Sequence, residues 1–113
     1  MTKPKTYSNE GDVKAEVKRI LKEQGFFYWM PGANGYGMQG VSDFCAIKDG
    51  VFFAIETKFG KGKLTANQLG FLNQIEKKRG RTLLVNEKNI EVLPFMLEGH
   101  LVAAKASYLL RES

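Results

Sequence analysis

Two acidic residues and a lysine occupy related positions in two predicted strands. Asp43 precedes the apolar run 44–47, and Glu56 and Lys58 stand at alternate positions near the end of the next apolar run. The runs are separated by Asp49-Gly50, a pair typical of a two-residue hairpin turn. Such a turn pairs Lys48 with Val51, and the pairing continues outward by one residue on each strand. Asp43 then lies opposite Glu56. Side chains alternate along a strand, so Lys58 falls on the same face as Glu56.

Two facing carboxylates require a positive charge nearby, because like charges directly opposite each other destabilise a sheet. Lys58 supplies part of that charge. A divalent cation such as Mg²⁺ or Mn²⁺, which prefers hard oxygen ligands, would supply the rest. The same residues could also form an ordinary ion pair on a solvated sheet face, and a longer turn would break the alignment. The register alone leaves both interpretations open.

A third acidic residue is expected from a helix predicted over residues 9–24. Val13 and Val17 belong to its apolar face. Glu10 lies three residues before Val13 and seven before Val17, so it shares this face, whereas Glu16 is predicted further round, toward solvent. An acidic residue in a first helical turn is also favourable for the helix dipole alone. Glu10 is therefore either a third metal ligand or a simple helix-end charge.

The remaining pattern predicts an α/β domain. Strands are predicted over 26–30, 41–47, 51–58 and 82–85, a second helix from Thr65 to Gly80, and helical segments over 90–97 and 103–110. The strand–helix–strand unit 51–85 should be parallel. We expect a mixed sheet of about four strands flanked by helices. Residues 1–8 look like a loose basic tail, and residues 31–40 like a glycine-rich loop.

Composition narrows the class of protein. The 113 residues predict one domain, and 43% apolar residues are enough for a globular core. A net charge of +5 favours an anionic partner, most simply nucleic acid. The single cysteine, Cys45, excludes a disulfide within the chain and a cysteine-based zinc cluster, and we expect it in the core. The single histidine, His100, excludes sites that need two histidines, and we expect it to be structural or on the surface.

No apolar run approaches the roughly 18 to 20 residues of a membrane span. The first ten residues are polar and lack the apolar stretch of a signal peptide. We therefore expect no membrane partner and a cytoplasmic location.

Three short motifs, in this order along the chain, resemble those of the VRR-NUC (virus-type replication-repair nuclease) domain. They are Gly40-Val41-Ser42-Asp43, Ile55-Glu56-Thr57-Lys58 and Lys63-Leu64-Thr65-Ala66-Asn67-Gln68. This domain is a branch of the PD-(D/E)xK nuclease superfamily with a restriction-endonuclease-like core, similar to archaeal Holliday junction resolvases and phage-encoded relatives. The resemblance covers about residues 9–86, which it implies are the nuclease core, and leaves 87–113 as a C-terminal helical segment. The family pattern often has proline where Ser42 stands.

The resemblance implies a role for each matching residue. Asp43 and Glu56 would be metal ligands, joined by the Thr57 backbone carbonyl and by Glu10 as the N-terminal acid. Lys58 would be the catalytic lysine. Gln68 matches the family's glutamine motif, although Thr65-x-x-Gln68 also has the form of a helix capping box, and both roles could hold at once.

The implied function is Mg²⁺- or Mn²⁺-dependent hydrolysis of DNA by an endonuclease. Without a base-reading motif, we expect recognition of branched DNA such as Holliday junctions or flaps, in the host cytoplasm if the protein is phage-encoded. Tyr36, Lys61 and Lys63 are candidates for contact with the DNA backbone, although solubility alone would also explain the two lysines. One alternative is a non-catalytic basic nucleic-acid-binding domain on the same fold. Another is a sequence-reading restriction-like nuclease, for which 113 residues leave little room.

A homodimer is expected if the substrate is a four-way junction, because two symmetric cuts match a two-fold assembly. Apolar residues that could form its interface follow the last motif: Phe95, Met96, Leu97, Leu101, Val102, Tyr108, Leu109 and Leu110. The same segment could instead do no more than cover the sheet.

Overall fold

The computed structural model of the protein describes residues 5–32 and 39–112. Its elements, in chain order, are α1 (Glu10–Glu23), β1 (Phe27–Trp29), β2 (Phe44–Lys48), β3 (Val51–Thr57), α2 (Ala66–Lys77), β4 (Arg81–Val85) and α3 (Leu93–Glu112), the last preceded by a 3₁₀ turn at Ile90–Val92. The four strands form one sheet in the order β1-β2-β3-β4. The strand pairs β1/β2 and β2/β3 are antiparallel, and β3/β4 is parallel. The predicted mixed sheet of about four strands with flanking helices is confirmed.

The turn between β2 and β3 sets the alignment of the two strands. Asp49 and Gly50 both have positive φ values, 53° and 76°, as a two-residue hairpin turn of type I′ requires. Lys48 pairs with Val51 and, at the far end, Phe44 pairs with Ile55. The predicted register is therefore confirmed along the whole of β2. This strand begins later than predicted, so Asp43 lies one residue before it.

The sheet has two different faces. The core face packs against α1 and α3. The fully buried residues that the sheet and these helices contribute to the core include Val13, Val17, Phe44, Phe53, Ile55, Leu93 and Leu97. The opposite face, which we call the α2 face, carries Glu56 and is partly covered by α2. Gly80 lies between α2 and β4. The chain passes close to α2 there, since a Cβ at this position would lie 2.5 Å from Ile75 Cγ2. The sheet therefore has the apolar core on one side and the candidate site on the other.

The C-terminal segment is one continuous helix, whereas two helical segments were predicted. Gly99 lies inside α3 without interrupting it. An internal glycine costs a helix only about 0.5 to 1 kcal/mol, and full burial of Leu93 and Leu97 on the core face offsets that cost. The interpretation of this segment as sheet cover is correct for its first half.

Residues 5–8 have no regular structure, yet they are not loose as predicted. The Lys5 ammonium forms an ion pair with the Glu16 carboxylate, and the partly buried Tyr7 packs against the core. The segment is held against α1. None of the helices within residues 5–32 and 39–112 is long and apolar enough to cross a membrane.

Candidate active site

The site is built where β2 begins and β3 ends. Glu56, on β3, is only 2% exposed. The Asp43 side chain, just before β2, is 21% exposed. The hairpin register ends with Phe44 paired with Ile55, so Asp43 and Glu56 are the next residues along the two chains. Asp43 Oδ2 accepts a hydrogen bond from the backbone N–H of Thr57, the residue after Glu56. The sequence-predicted pairing of Asp43 with Glu56 is therefore present in the folded chain.

The Glu56 carboxylate is engaged on one oxygen only. Its Oε1 accepts a hydrogen bond from Gln68 Nε2 at 3.1 Å and lies 3.8 Å from Lys58 Nζ. Its Oε2 is buried and has no hydrogen-bond partner within the described part of the chain. A buried acceptor without a partner costs about 1 to 3 kcal/mol. A bound cation, or a proton shared with Asp43, would satisfy this oxygen.

The two oxygens of the Asp43 carboxylate also have different partners. Its Oδ2 accepts hydrogen bonds from the backbone N–H of Thr57 at 2.8 Å and from Thr57 Oγ1 at 2.7 Å. Its Oδ1 lies 3.5 Å from Lys14 Nζ. Thr57 itself is fully buried, so it holds Asp43 in place. The predicted role of the Thr57 carbonyl as a metal ligand stays a prediction.

The two carboxyl groups have opposite proton affinities. Burial, followed by the charge and hydrogen bond of Asp43, raises the pKa of Glu56 to about 8. Burial alone would also raise the pKa of Asp43, but the hydrogen bonds from Thr57, with help from Glu56 and Lys14, lower it instead. At neutral pH and without a cation, the pair therefore carries one proton, on Glu56. Paired acids whose pKa values are driven apart are typical of functional sites.

Gln68 forms the predicted capping box and also contacts Glu56. Thr65 Oγ1 accepts from the Gln68 backbone N–H, and Gln68 Oε1 accepts from the Thr65 backbone N–H at 2.9 Å, which completes the capping box at the start of α2. The other end of the same amide donates to Glu56. The cap therefore fixes which way the amide points, and the start of α2 positions Glu56.

Replacing Gln68 with glutamate separates these two roles. A glutamate can still accept from the Thr65 N–H, so the cap and the thermal stability should persist, but it has no N–H to offer Glu56. Loss of a residue that orients a ligand typically lowers metal affinity or activity about 10- to 100-fold. Melting temperature and cleavage rate, measured on Gln68→Glu and Gln68→Ala together, check this. Equal rates in wild type and Gln68→Glu would contradict the positioning role.

Gly40 supports this arrangement from the other side. It has a positive φ of 79°, and a Cβ at this position would lie 2.3 Å from the Asn67 carbonyl carbon and 2.6 Å from the Gln68 backbone nitrogen. Only glycine permits both the backbone conformation and the close approach. The glycine of the Gly40–Asp43 motif therefore seats the first turn of α2, a contact that sequence analysis did not identify.

Lys14 is the site residue that sequence analysis missed. Its ammonium lies between two carboxylates, 3.5 Å from Asp43 Oδ1 and 3.4 Å from Glu10 Oε2. The charges of these two acids raise the pKa of Lys14 in spite of its partial burial. Glu10 thus borders the site through Lys14, with its side chain 40% exposed. The only available signal was the four-residue spacing from Glu10, which is common on helices.

Glu16 does not point toward solvent as expected. It is 9% exposed and is paired with Lys5 and Arg19. It lies three residues after Val13 and four before Ile20, so it falls within the apolar stripe, and residues 5–8 cover it. Burial alone would raise the pKa of Glu16, but its two cationic partners lower it. The partners of Glu16 are Lys5 and Arg19, whereas Glu10 shares Lys14 with Asp43. Glu10 is therefore the acid of α1 that borders the site.

The other predicted residues fall in different places. Lys61 and Lys63 are exposed in the loop that follows Lys58, so their contact with DNA stays a prediction. Tyr36 lies outside the described residues. Cys45 is buried as expected, and His100 is half-buried, edge-on to Phe53 with ring centroids 5.9 Å apart.

The donors at the site fit a hard divalent cation. Glu56 Oε2 has no hydrogen-bond partner among the described residues, and Asp43 Oδ1 is paired with Lys14 Nζ at 3.5 Å. Carboxylate oxygens are the ligand type that suits Mg²⁺ or Mn²⁺. No group of three or more His, Cys, Asp or Glu side chains placed to hold a metal occurs within residues 5–32 and 39–112. The protein would therefore supply two carboxylates, with main-chain oxygen or water completing the shell.

A search of solved structures finds a protein described as a VRR_NUC domain. It superposes with a TM-score of 0.64 at 21% identity, over 77% of this chain and 95% of the other. The VRR-NUC-like fold implied by the sequence motifs is confirmed. No protein-family model and no curated protein sequence matches the chain.

Proposed function

We propose that this protein is a Mg²⁺- or Mn²⁺-dependent endonuclease that hydrolyses phosphodiester bonds in DNA. The observation that supports this most strongly is the buried Glu56 Oε2, which has no partner among the described residues, on a carboxylate whose other oxygen lies 3.8 Å from Lys58 Nζ. A purely structural ion pair would satisfy this oxygen. The Asp43–Glu56 pair lies on a fold similar to that of a protein described as a VRR_NUC domain, and this likeness favours nuclease chemistry at the pair.

Each side chain has a separate task in this proposal. Asp43 and Glu56 hold the cation, which when bound lowers the pKa of a water and stabilises the charge that develops on the phosphate. Lys58, with a side chain only 16% exposed, orients the attacking water or neutralises the transition-state oxyanion. Gln68 and Thr57 keep one oxygen of each carboxylate occupied, so that the cation would take Glu56 Oε2 and would replace Lys14 Nζ at Asp43 Oδ1.

The proposed substrate is branched DNA such as a four-way junction or a flap. The net charge of +5 and the exposed Lys61 and Lys63 in the loop that follows Lys58 favour contact with phosphates, which gives affinity without sequence information. Tyr36 is proposed as a further backbone contact.

The second candidate function is binding of nucleic acid without cleavage. The net positive charge would serve it equally well, but it gives no reason for a buried carboxylate pair. Acidic residues placed next to a DNA-binding surface weaken binding unless a cation neutralises them. The Asp43–Glu56 pair therefore favours the nuclease.

End-labelled linear duplex, flap and four-way-junction DNA, each incubated with Mg²⁺, Mn²⁺ or EDTA, test this proposal. We expect metal-dependent cleavage, fastest on a branched substrate and abolished by EDTA. Binding of these DNAs with no cleavage in either metal would support the non-catalytic alternative. Cleavage of linear duplex at one sequence would support a sequence-reading nuclease.

We further propose that the protein acts as a homodimer on junctions. Only part of the C-terminal interface suggested by the sequence is available to a partner. Leu97 is fully buried in the core, whereas Phe95 and Val102 are 71% and 62% exposed. A second apolar surface lies on the α2 face, where Phe27 is 70% and Trp29 40% exposed. We favour the second, because the Asp43–Glu56 pair lies at that face and two copies joined there would present both sites to one junction.

Light scattering together with a nicking assay tests the dimer. A dimer should make paired nicks on a four-way junction, and Trp29→Glu should yield monomers that have lost the pairing of nicks. A strict monomer that still makes paired nicks would refute the dimer. A monomer that cuts flaps once would place the activity with single-cut flap processing.

A further inference from the structure

A long groove lies at the end of the sheet opposite the candidate active site. It has a volume of about 1450 Å³ and runs between the C-terminal part of α2, the first residues of β3 and β4, and the second half of α3. Phe52, in its wall, precedes Glu56 by four residues on β3. At the rise of a β-strand, that separation is about 13 Å. The groove is therefore distinct from the site but within reach of the same bound molecule.

The walls of the groove are cationic. Five positively charged residues line it, against two acidic ones, Asp49 and Glu76. The five are Lys78, Arg79, Arg81, Lys105 and Arg111. Within the described part of the chain, none of these cations forms an ion pair with a carboxylate, and the Glu76 carboxylate already accepts a hydrogen bond from Thr82. The charge on these walls is available to an anionic partner.

Three aromatic side chains line the groove together with the cations. Phe71 of α2 and Tyr108 of α3 line the groove with Phe52, and Tyr108 is 58% exposed. A groove that combines cations with accessible aromatic rings matches the way proteins hold single-stranded nucleic acid, in which phosphates contact the cations and bases stack on the rings.

Arg79 reaches the groove through an unfavourable backbone conformation. Its φ is 66°, in the left-handed region that a helix end normally fills with glycine or asparagine. The next residue, Gly80, is closely packed, since a Cβ there would lie 2.5 Å from Ile75 Cγ2. A bulky residue kept in a strained conformation points to a requirement for that side chain rather than for the fold.

We propose that this groove binds a single-stranded segment of nucleic acid, with its phosphates on the five cations and its bases against Phe71 and Tyr108. The inference rests on the proposed nuclease function for its substrate class and adds a second contact remote from the cut. A second copy of this chain is a poor occupant, since it would bring the same positive charges into contact. A duplex, which hides its base faces by stacking, would leave the aromatic rings unused.

Fluorescence anisotropy with a labelled 20-nucleotide thymidine strand in EDTA tests the groove without cleavage. We expect the double substitution Lys105→Glu/Arg111→Glu to weaken binding at least about tenfold and to reduce the slope of log K against log salt by about 1.4, the loss of two phosphate contacts. The matched control is Lys18→Glu/Lys22→Glu, with the same charge change on exposed positions of α1. Equal weakening in both variants would overturn the proposal in favour of a general charge effect.

Arg79→Gly provides a second test that a damaged fold cannot imitate. Glycine relieves the left-handed strain, so the melting temperature should stay the same or rise, while binding of the single strand should weaken several-fold. Unchanged binding in this variant and in Lys105→Glu/Arg111→Glu would refute the groove. Loss of binding to a blunt 20-base-pair duplex to the same extent as to the single strand would also overturn it. Intact groove binding in a protein that cleaves no DNA would refute the nuclease proposal alone.

Discussion

Glu56→Gln and Asp43→Asn should each lower the rate of DNA cleavage at least about 10³-fold, equivalent to about 4 kcal/mol of barrier. Each substitution replaces a cation-binding oxygen with an amide while keeping the shape of the side chain. The double variant should be little worse than either single one, because groups that act as a unit around one cation are not additive. Single-turnover cleavage of a labelled junction at saturating Mg²⁺ measures all three rates.

The fold and the DNA affinity serve as controls for this loss. Glu98→Gln, at an exposed position of α3, makes the same chemical change away from the site and should cleave at the wild-type rate. Both site variants should bind junction DNA in EDTA at least as tightly as wild type. Asp43→Asn removes a negative charge, and Glu56→Gln replaces a carboxyl group that holds a proton at neutral pH without a cation. Near-normal turnover in Glu56→Gln would show that the site has been misassigned.

Without a divalent cation, the protein should lose stability as pH rises from about 5 to 8, and Glu56 should be the cause. Its pKa is raised from 4.5 to about 8, so in this window the folded chain holds one more proton than the unfolded chain. A raised folded-state pKa contributes stability that is complete below the unfolded value and is lost as pH passes through the folded one. The slope attributable to one proton is about 1.4 kcal/mol per pH unit.

The difference between wild type and Glu56→Gln isolates this contribution from other titrating groups. His100, whose pKa is lowered by burial and by the charge of Arg81, acts in the opposite direction and is common to both proteins. Urea unfolding at pH 5.5, 7 and 8.5 in EDTA should show the variant gaining on wild type as pH rises. Stability curves that run parallel would contradict a protonated, buried Glu56.

Local chemistry made part of the site predictable from the sequence. The Asp49-Gly50 turn has few conformations, and its register determined which residues of β2 and β3 meet. The capping box at Thr65 and Gln68 likewise depends on four consecutive residues. Because these features involve short stretches of chain, the position of Glu56 relative to Asp43 followed from spacing.

Features that depend on how distant elements pack could not be predicted in the same way. Lys14 reaches Asp43 only because α1 docks beside the start of β2, and Gly40 meets Asn67 only because a loop crosses the start of α2. The burial of Glu16 depends on residues 5–8 folding back over α1. The division of α3 into two helices was wrong because the burial of Leu97 on the core outweighs the local effect of Gly99.

The central claim is that Asp43 and Glu56 together bind a divalent cation, and calorimetric titration with Mn²⁺ at pH 7 tests it most directly. Because Glu56 is protonated at this pH, binding should release close to one proton per site, seen as a heat that changes with the ionisation enthalpy of the buffer. Glu56→Gln should lose both the proton release and most of the affinity, while Glu98→Gln should retain them. Absence of Mn²⁺ binding by the wild type, or binding that Glu56→Gln leaves unchanged, would contradict the account.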